Sequence, residues 1–162
     1  MFTSPTSTSG YVMAYSRLVD EGLLEAKQKP DAFFSTAEFA NGYDKALLAV
    51  LNGQADACAV SDYTMEGPKA GAYLTTEDRE GLRVLSQTPG VPTHLIGARA
   101  DLPQDLRDAI KAALLEVSRD NADMLADVYG AARFVESTAE SHLVGAVKAL
   151  TNTGLAAQAL VK

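Results

Sequence analysis

The chain has 162 residues, 47% of them hydrophobic, which is enough to bury the core of one domain or of one and part of a second. With 21 acidic against 14 basic residues its formal net charge is −7, and no basic run occurs, so the footprint of a nucleic-acid binder is missing. No apolar stretch approaches the roughly 20 residues that cross a bilayer as a helix. The longest such run lies around Ala46 to Leu51.

The opening residues, Met1-Phe2 and then hydroxyl side chains, lack the basic and apolar regions of a signal peptide, so no export address is expected in the chain as given. Ser4, Thr6, Ser7, Thr8 and Ser9 stand directly before Gly10. After it, Tyr11, Val12, Tyr15, Leu18 and Val19 form one helical stripe, and Gly22 is a natural stop. On that stripe Tyr11 and Tyr15 read as core residues. The stretch "DAFFST" after Pro30 reads as a strand. In "YDKALLAVLNGQADACAVSD", Ala46, Leu47, Val50 and Leu51 make a helical face that Asn52-Gly53 ends. Ala55 to Val60 then suits a strand buried on both faces.

Helix and strand in alternation with short links predict an α/β fold with a parallel sheet. Beyond a glycine-rich connection, "TTED" offers Thr75 as a helix cap with Asp78 reaching back. "LRVLSQ" and Leu95 to Ala98 read as further strands. Helical faces follow at Leu106, Ile110, Leu114 and Val117, at Leu125 and Val128, and at Leu143, Val144, Val147 and Leu150. Cys58 cannot form an internal disulfide and reads as a small buried hydrophobe. His94 and His142, the latter expected to start the last helix, share no metal-ligand spacing, and no metal site is expected. Glu77, Asp78 and Glu80 read as a solvated cluster.

Two places carry candidate chemistry. A helix N-terminus attracts anions through its unpaired N–H groups, and Ser7, Thr8 and Ser9 add hydroxyls while Gly10 permits close approach. A phosphate loop it is not, because no G-x-x-x-x-G-K-[ST] is present. On the residues alone an ordinary N-cap within a flexible tail explains the cluster as well. Asp62, in Ser61-Asp62-Tyr63, follows the expected strand 57–60, where ligands of open α/β sheets collect. Beside an oxyanion site its carboxylate would accept from a protonated ligand oxygen or pair with an ammonium group, which selects phosphorus oxyacids over sulfate. Capping a local turn is the other reading of Asp62.

"STSGY" before a helix, then "FSTAEFANGYDKALLAVLNGQADACAVSD" and "RVLSQTPGVPTHLIGARADLPQDLRDAIKAALLEV", together resemble the phosphate/phosphite/phosphonate-binding proteins of ABC transporters. The resemblance implies a type II periplasmic-binding fold, with three-layer αβα lobes built on a mainly parallel sheet, closing on its ligand by hinge motion. It further implies that residues 1–86 form most of the second lobe, that 87–162 cross back toward the first, and that the first lobe is incomplete because the chain is truncated at its N-terminus. Ser7, Thr8, Ser9 and Gly10 would then hold the oxyanion, and Asp62 its protonated oxygen or amino group. Tyr43 falls where many relatives place a histidine, and a phenol still donates a hydrogen bond without a charge.

The reading taken forward is a solute-binding component of an importer, with no catalytic residue, no cofactor and no metal. Its expected partners are a small phosphorus oxyanion and a transporter permease, in the periplasm or at the cell surface. Apolar faces left over by an incomplete lobe would favour a homo-oligomer. Two alternatives stand beside it: a non-binding fragment that folds as an oligomer, and an enzyme on a similar scaffold using Tyr43, Asp62 or Cys58.

Overall fold

The architecture is taken from a computed structural model that describes residues 1–92 and 94–155. Contacts divide the chain into two units, one formed by Met1–Pro92 with the segment from Leu143, the other by Thr93–His142.

The first unit is organised around residues 1–3. Phe2 N–H donates to the Glu38 carbonyl (2.7 Å) and Ala40 N–H to the Phe2 carbonyl (2.9 Å), a parallel bridge between Phe2 and Phe39. On the other side the Met1 amino group donates to the Ala57 carbonyl (2.8 Å) and Ala59 N–H to the Met1 carbonyl (3.1 Å). That is the same parallel pattern, centred on Cys58. Residues 1–3 therefore lie between 38–40 and 57–59, and all three segments run in one direction.

Thr3 to Pro5 do not form a loose tail. Thr3 is buried, its Oγ1 donates to the Ala59 carbonyl (2.9 Å), and its N–H donates to the Gly10 carbonyl (3.0 Å). The helix that follows starts three residues before Tyr11: a π-helical turn, Thr8–Val12, runs into α1, Met13–Asp20. Gly22, with φ +72°, ends it, and the Leu23 N–H reaches back to the Leu18 carbonyl (2.9 Å). Tyr11 and Tyr15 are core residues, their rings stacked at 5.8 Å. The Tyr15 hydroxyl donates to the Gln28 carbonyl (2.6 Å), which keeps a buried phenol satisfied.

The α2 helix, Tyr43–Leu51, buries Ala46, Leu47 and Ala49, so the buried face is shifted from the expected one. Asn52-Gly53 stops it, with Gly53 at φ +68°. Two 3-10 turns, Asp62–Thr64 and Ala70–Ala72, pack together ahead of α3, Thr76–Glu80. There the Thr75 hydroxyl accepts from Asp78 N–H (3.1 Å) and donates to Asp78 Oδ2 (2.7 Å), so the carboxylate reaches back to the hydroxyl rather than to the backbone.

In the second unit α4, Gln104–Asp120, packs on α5, Ala122–Tyr129, which buries Leu125. The Phe134 N–H donates to Ser118 Oγ (2.7 Å). His142 ends α6, Ala139–His142, instead of starting the last helix. Leu106, Ile110 and Val128 of the expected apolar faces are exposed. Within the first unit α7, Val144–Thr153, packs on α1, and the Asn152 side-chain amide donates to Asp20 Oδ1 (2.8 Å) and Ser16 Oγ (3.3 Å). Its buried face runs through Ala149 and Thr153, and Val144 and Val147 face outward, which corrects the expected stripe.

The expected mainly parallel sheet is reduced, among the described residues, to the short arrangement around residues 1–3. "DAFFST" is not a strand: Pro30–Ala32 form a 3-10 turn, because Pro30 fixes φ and the Phe33 and Phe34 N–H groups both fold back onto its carbonyl (3.0 Å each). Residues 82–87 and 95–98 carry no ladder, and Val84, Leu85, Leu95 and Ile96 are exposed. A strand persists only where a neighbour supplies matching amides and carbonyls, which these segments lack.

Candidate functional site

The three parallel segments deliver their carboxyl ends to one side. Residues 1–3 lead into the Ser7–Gly10 turn, 38–40 into Asn41-Gly42-Tyr43, and 57–59 into Ser61-Asp62-Tyr63. That is the edge at which ligands of parallel sheets are bound.

Ser7 is the N-cap of the first helical turn, and its Oγ accepts from Gly10 N–H (3.0 Å). Gly10 is required by close approach: a Cβ there would collide with Oγ1 and Cβ of Thr3 and stand 2.8 Å from Ser7 Oγ. Across from this turn Asn41, in the left-handed region at φ +58°, donates its N–H to the Thr3 carbonyl (2.7 Å) and turns the chain into α2. Tyr43 is thereby set with its hydroxyl 2.6 Å from Ser9 Oγ and 3.3 Å from Ser7 Oγ. Thr3, Ser4, Ser7, Asn41, Gly42 and Tyr43 line an open recess of about 450 Å³. Its polar groups are hydroxyls and amides, with no cationic side chain.

Of the residues expected to bind ligand, Ser7, Ser9, Gly10 and Tyr43 come together. Thr8 sits half-buried in the same turn, and its carbonyl accepts from Met13 N–H. Asp62 is exposed and locally engaged: Oδ1 accepts from Tyr63 N–H (2.8 Å) and Ser61 Oγ (3.3 Å). No hydrogen bond joins it to the hydroxyl turn among the described residues. Its link to the site runs through Tyr63, whose ring stands edge-on to Tyr43 at 5.9 Å.

Tyr63 and Tyr73 complete a triad with Tyr43 that the sequence reading did not single out. The available signal was two tyrosines bracketing the glycine-rich "TMEGPKAGA". Burial first, and then the nearby Tyr43 and Tyr73 phenols, push the Tyr63 phenol well above the ordinary tyrosine range. It is a neutral hydrogen-bonding group at physiological pH. Cys58 lies on the edge segment, half-buried, and burial raises its thiol, so it is no thiolate nucleophile at neutral pH. Among the described residues no group of three His, Cys, Asp or Glu side chains gathers as a metal site, and no helix is long and apolar enough to cross a membrane.

Chemically the arrangement offers a row of uncharged donors at a helix start, suited to holding oxygens. A family model described as "ABC transporter, phosphonate, periplasmic substrate-binding protein" matches residues 1–142. No curated protein and no solved structure matches the chain. The chain thus belongs to the periplasmic phosphonate substrate-binding proteins of ABC transporters, a family that binds solute for transport rather than converting it.

Proposed function

We propose that this chain captures a phosphorus oxyanion, a phosphonate, phosphite or phosphate, on the Ser7–Gly10 turn and presents it to a transporter permease. The observation that carries the reading is the convergence of Ser7 Oγ, Ser9 Oγ and the Tyr43 hydroxyl within 3.3 Å at the start of a helix. The first N–H groups of a helix have no carbonyl partner within it, and its positive end favours an anion. Ser7, Thr8 and Ser9 supply hydroxyl donors, Gly10 keeps the backbone close, and Tyr43 donates from the facing helix. Asp62, one residue from Tyr63, takes a protonated ligand oxygen or an ammonium group when the ligand bridges toward the third segment. A site without a cation, next to a carboxylate, favours an acid that keeps a proton over fully ionised sulfate.

The parallel order of the three segments is in keeping with a lobe of a type II periplasmic-binding fold. In that reading 1–86 supply most of one lobe, and 87–162 belong with the crossover and the other.

Calorimetric titration with methylphosphonate, phosphite, phosphate and sulfate tests the assignment. At least one phosphorus oxyanion should bind saturably while sulfate stays silent. Ser9→Ala should weaken that binding about tenfold, the effect of losing one donor to a charged group. Equal binding of sulfate, or an unchanged affinity in Ser9→Ala, would refute it.

A further inference from the structure

Tyr43 does not stand alone behind the hydroxyl turn. Tyr63 meets its ring edge-on at 5.9 Å and 87°, Tyr73 meets it edge-on at 6.3 Å and 76°, and Tyr63 and Tyr73 lie 5.9 Å apart at 49°. All three residues are half-buried, so each ring both packs and presents surface. The turns that carry them are anchored. Thr64, beside Tyr63, is buried, and its hydroxyl donates to the Ser61 carbonyl (2.6 Å). Ala70 and Leu74 are buried on either side of Tyr73, and Arg79 Nη1 donates to the Leu74 carbonyl (2.6 Å).

The two sides of this site therefore differ in chemistry. Hydroxyls on the Ser7–Gly10 side match oxygens, whereas the triad offers carbon surface, which stabilises an apolar group and gives nothing to a further ionised oxygen. A ligand with oxygen at every position has no group for that wall. One in which carbon replaces an oxygen on phosphorus has such a group.

We propose that Tyr63 and Tyr73 are specificity-determining residues: with the Tyr43 ring they form an aromatic wall that takes the carbon substituent of an organophosphonate, favouring it over phosphite and phosphate. The inference rests on the oxyanion reading of the Ser7–Gly10 turn and adds to it which side of the ligand faces which residues.

The test compares ethylphosphonate with phosphite on the full chain by calorimetry. Tyr63→Leu and Tyr73→Leu should each lose about tenfold in affinity for ethylphosphonate and less than about twofold for phosphite, while Tyr63→Phe and Tyr73→Phe keep the parent ratio. Should a leucine variant fail to fold, transferred nuclear Overhauser effects in the parent chain give an independent reading. The ethyl protons should then show contacts to the Tyr63 and Tyr73 rings. Parent binding with an unchanged ratio in the leucine variants, a ratio lost equally in the phenylalanine variants, or ethyl contacts missing from both rings would overturn this inference alone. A parent chain that binds neither ligand overturns the oxyanion reading and this inference with it.

Discussion

Replacing Gly10 with alanine places a methyl group against Oγ1 and Cβ of Thr3, with Ser7 Oγ 2.8 Å away. Rotating Thr3 about χ1 would move Oγ1 but not Cβ, whose position is set by a backbone held through Thr3 N–H to the Gly10 carbonyl (3.0 Å) and Asn41 N–H to the Thr3 carbonyl (2.7 Å). The backbone itself must shift. Overpacking of this kind costs about 1–3 kcal/mol, and a clash with a fixed Cβ belongs at the upper end. At roughly 2–4 °C per kcal/mol for a chain of this size, Tm should fall by roughly 6–12 °C. Thr3→Gly removes both colliding atoms at its own cost of about 1–2 kcal/mol, because the hydrogen bond to Ala59 goes and a flexible residue enters. The double variant should therefore be more stable than the sum of the singles by at least about 1 kcal/mol. Urea unfolding followed by circular dichroism, with the slopes compared, measures the cycle. Additivity within about 0.5 kcal/mol would refute the packing argument.

The two helix caps make a contrasting pair: Ser7→Ala and Thr75→Ala should each cost about 1 kcal/mol by losing the bonds from Gly10 N–H and Asp78 N–H. Only Ser7→Ala should also weaken oxyanion binding, and a loss of binding in Thr75→Ala would contradict the placement of the site. At alkaline pH, burial raises Tyr11, Tyr15 and Tyr63 above the ordinary tyrosine value and Cys58 above the ordinary thiol value. A folded chain that holds these protons longer than the unfolded one has their stabilisation in full below about pH 9 and loses it as pH rises through the raised values. Phenolate absorbance should accordingly show part of the six tyrosines ionising only as the circular dichroism signal is lost. Ionisation of all six near pH 10 in an intact fold would speak against the burial described.

What could be read from the sequence was local. The stripe of Tyr11, Tyr15 and Leu18, the stops at Gly22 and Asn52-Gly53, and the pairing of Thr75 with Asp78 follow from periodicity and short-range capping, and the structure has them. The strands were a different matter, because hydrophobic runs specify burial without specifying a partner. Ala55 to Val60 finds one in Met1, whereas 82–87 and 95–98 find none among the described residues. "DAFFST" was misread because Pro30 starts a turn whose amides close on its own carbonyl. At the site, the hydroxyl run was conspicuous in sequence, and its contact with Tyr43 came through the family resemblance. Tyr63 and Tyr73 were not found, since three rings separated by glycine-rich loops meet only through tertiary packing.

The central claim is that the Ser7–Gly10 turn is an oxyanion site, and ¹⁵N-amide NMR titration of the full chain with phosphite, methylphosphonate, phosphate and sulfate tests it most directly. Saturable shifts centred on the amides of Ser7 through Tyr11 and on Tyr43, with sulfate silent, are the predicted result. Amides in that turn that stay fixed to millimolar concentrations of every phosphorus oxyanion, or that respond equally to sulfate, would contradict it.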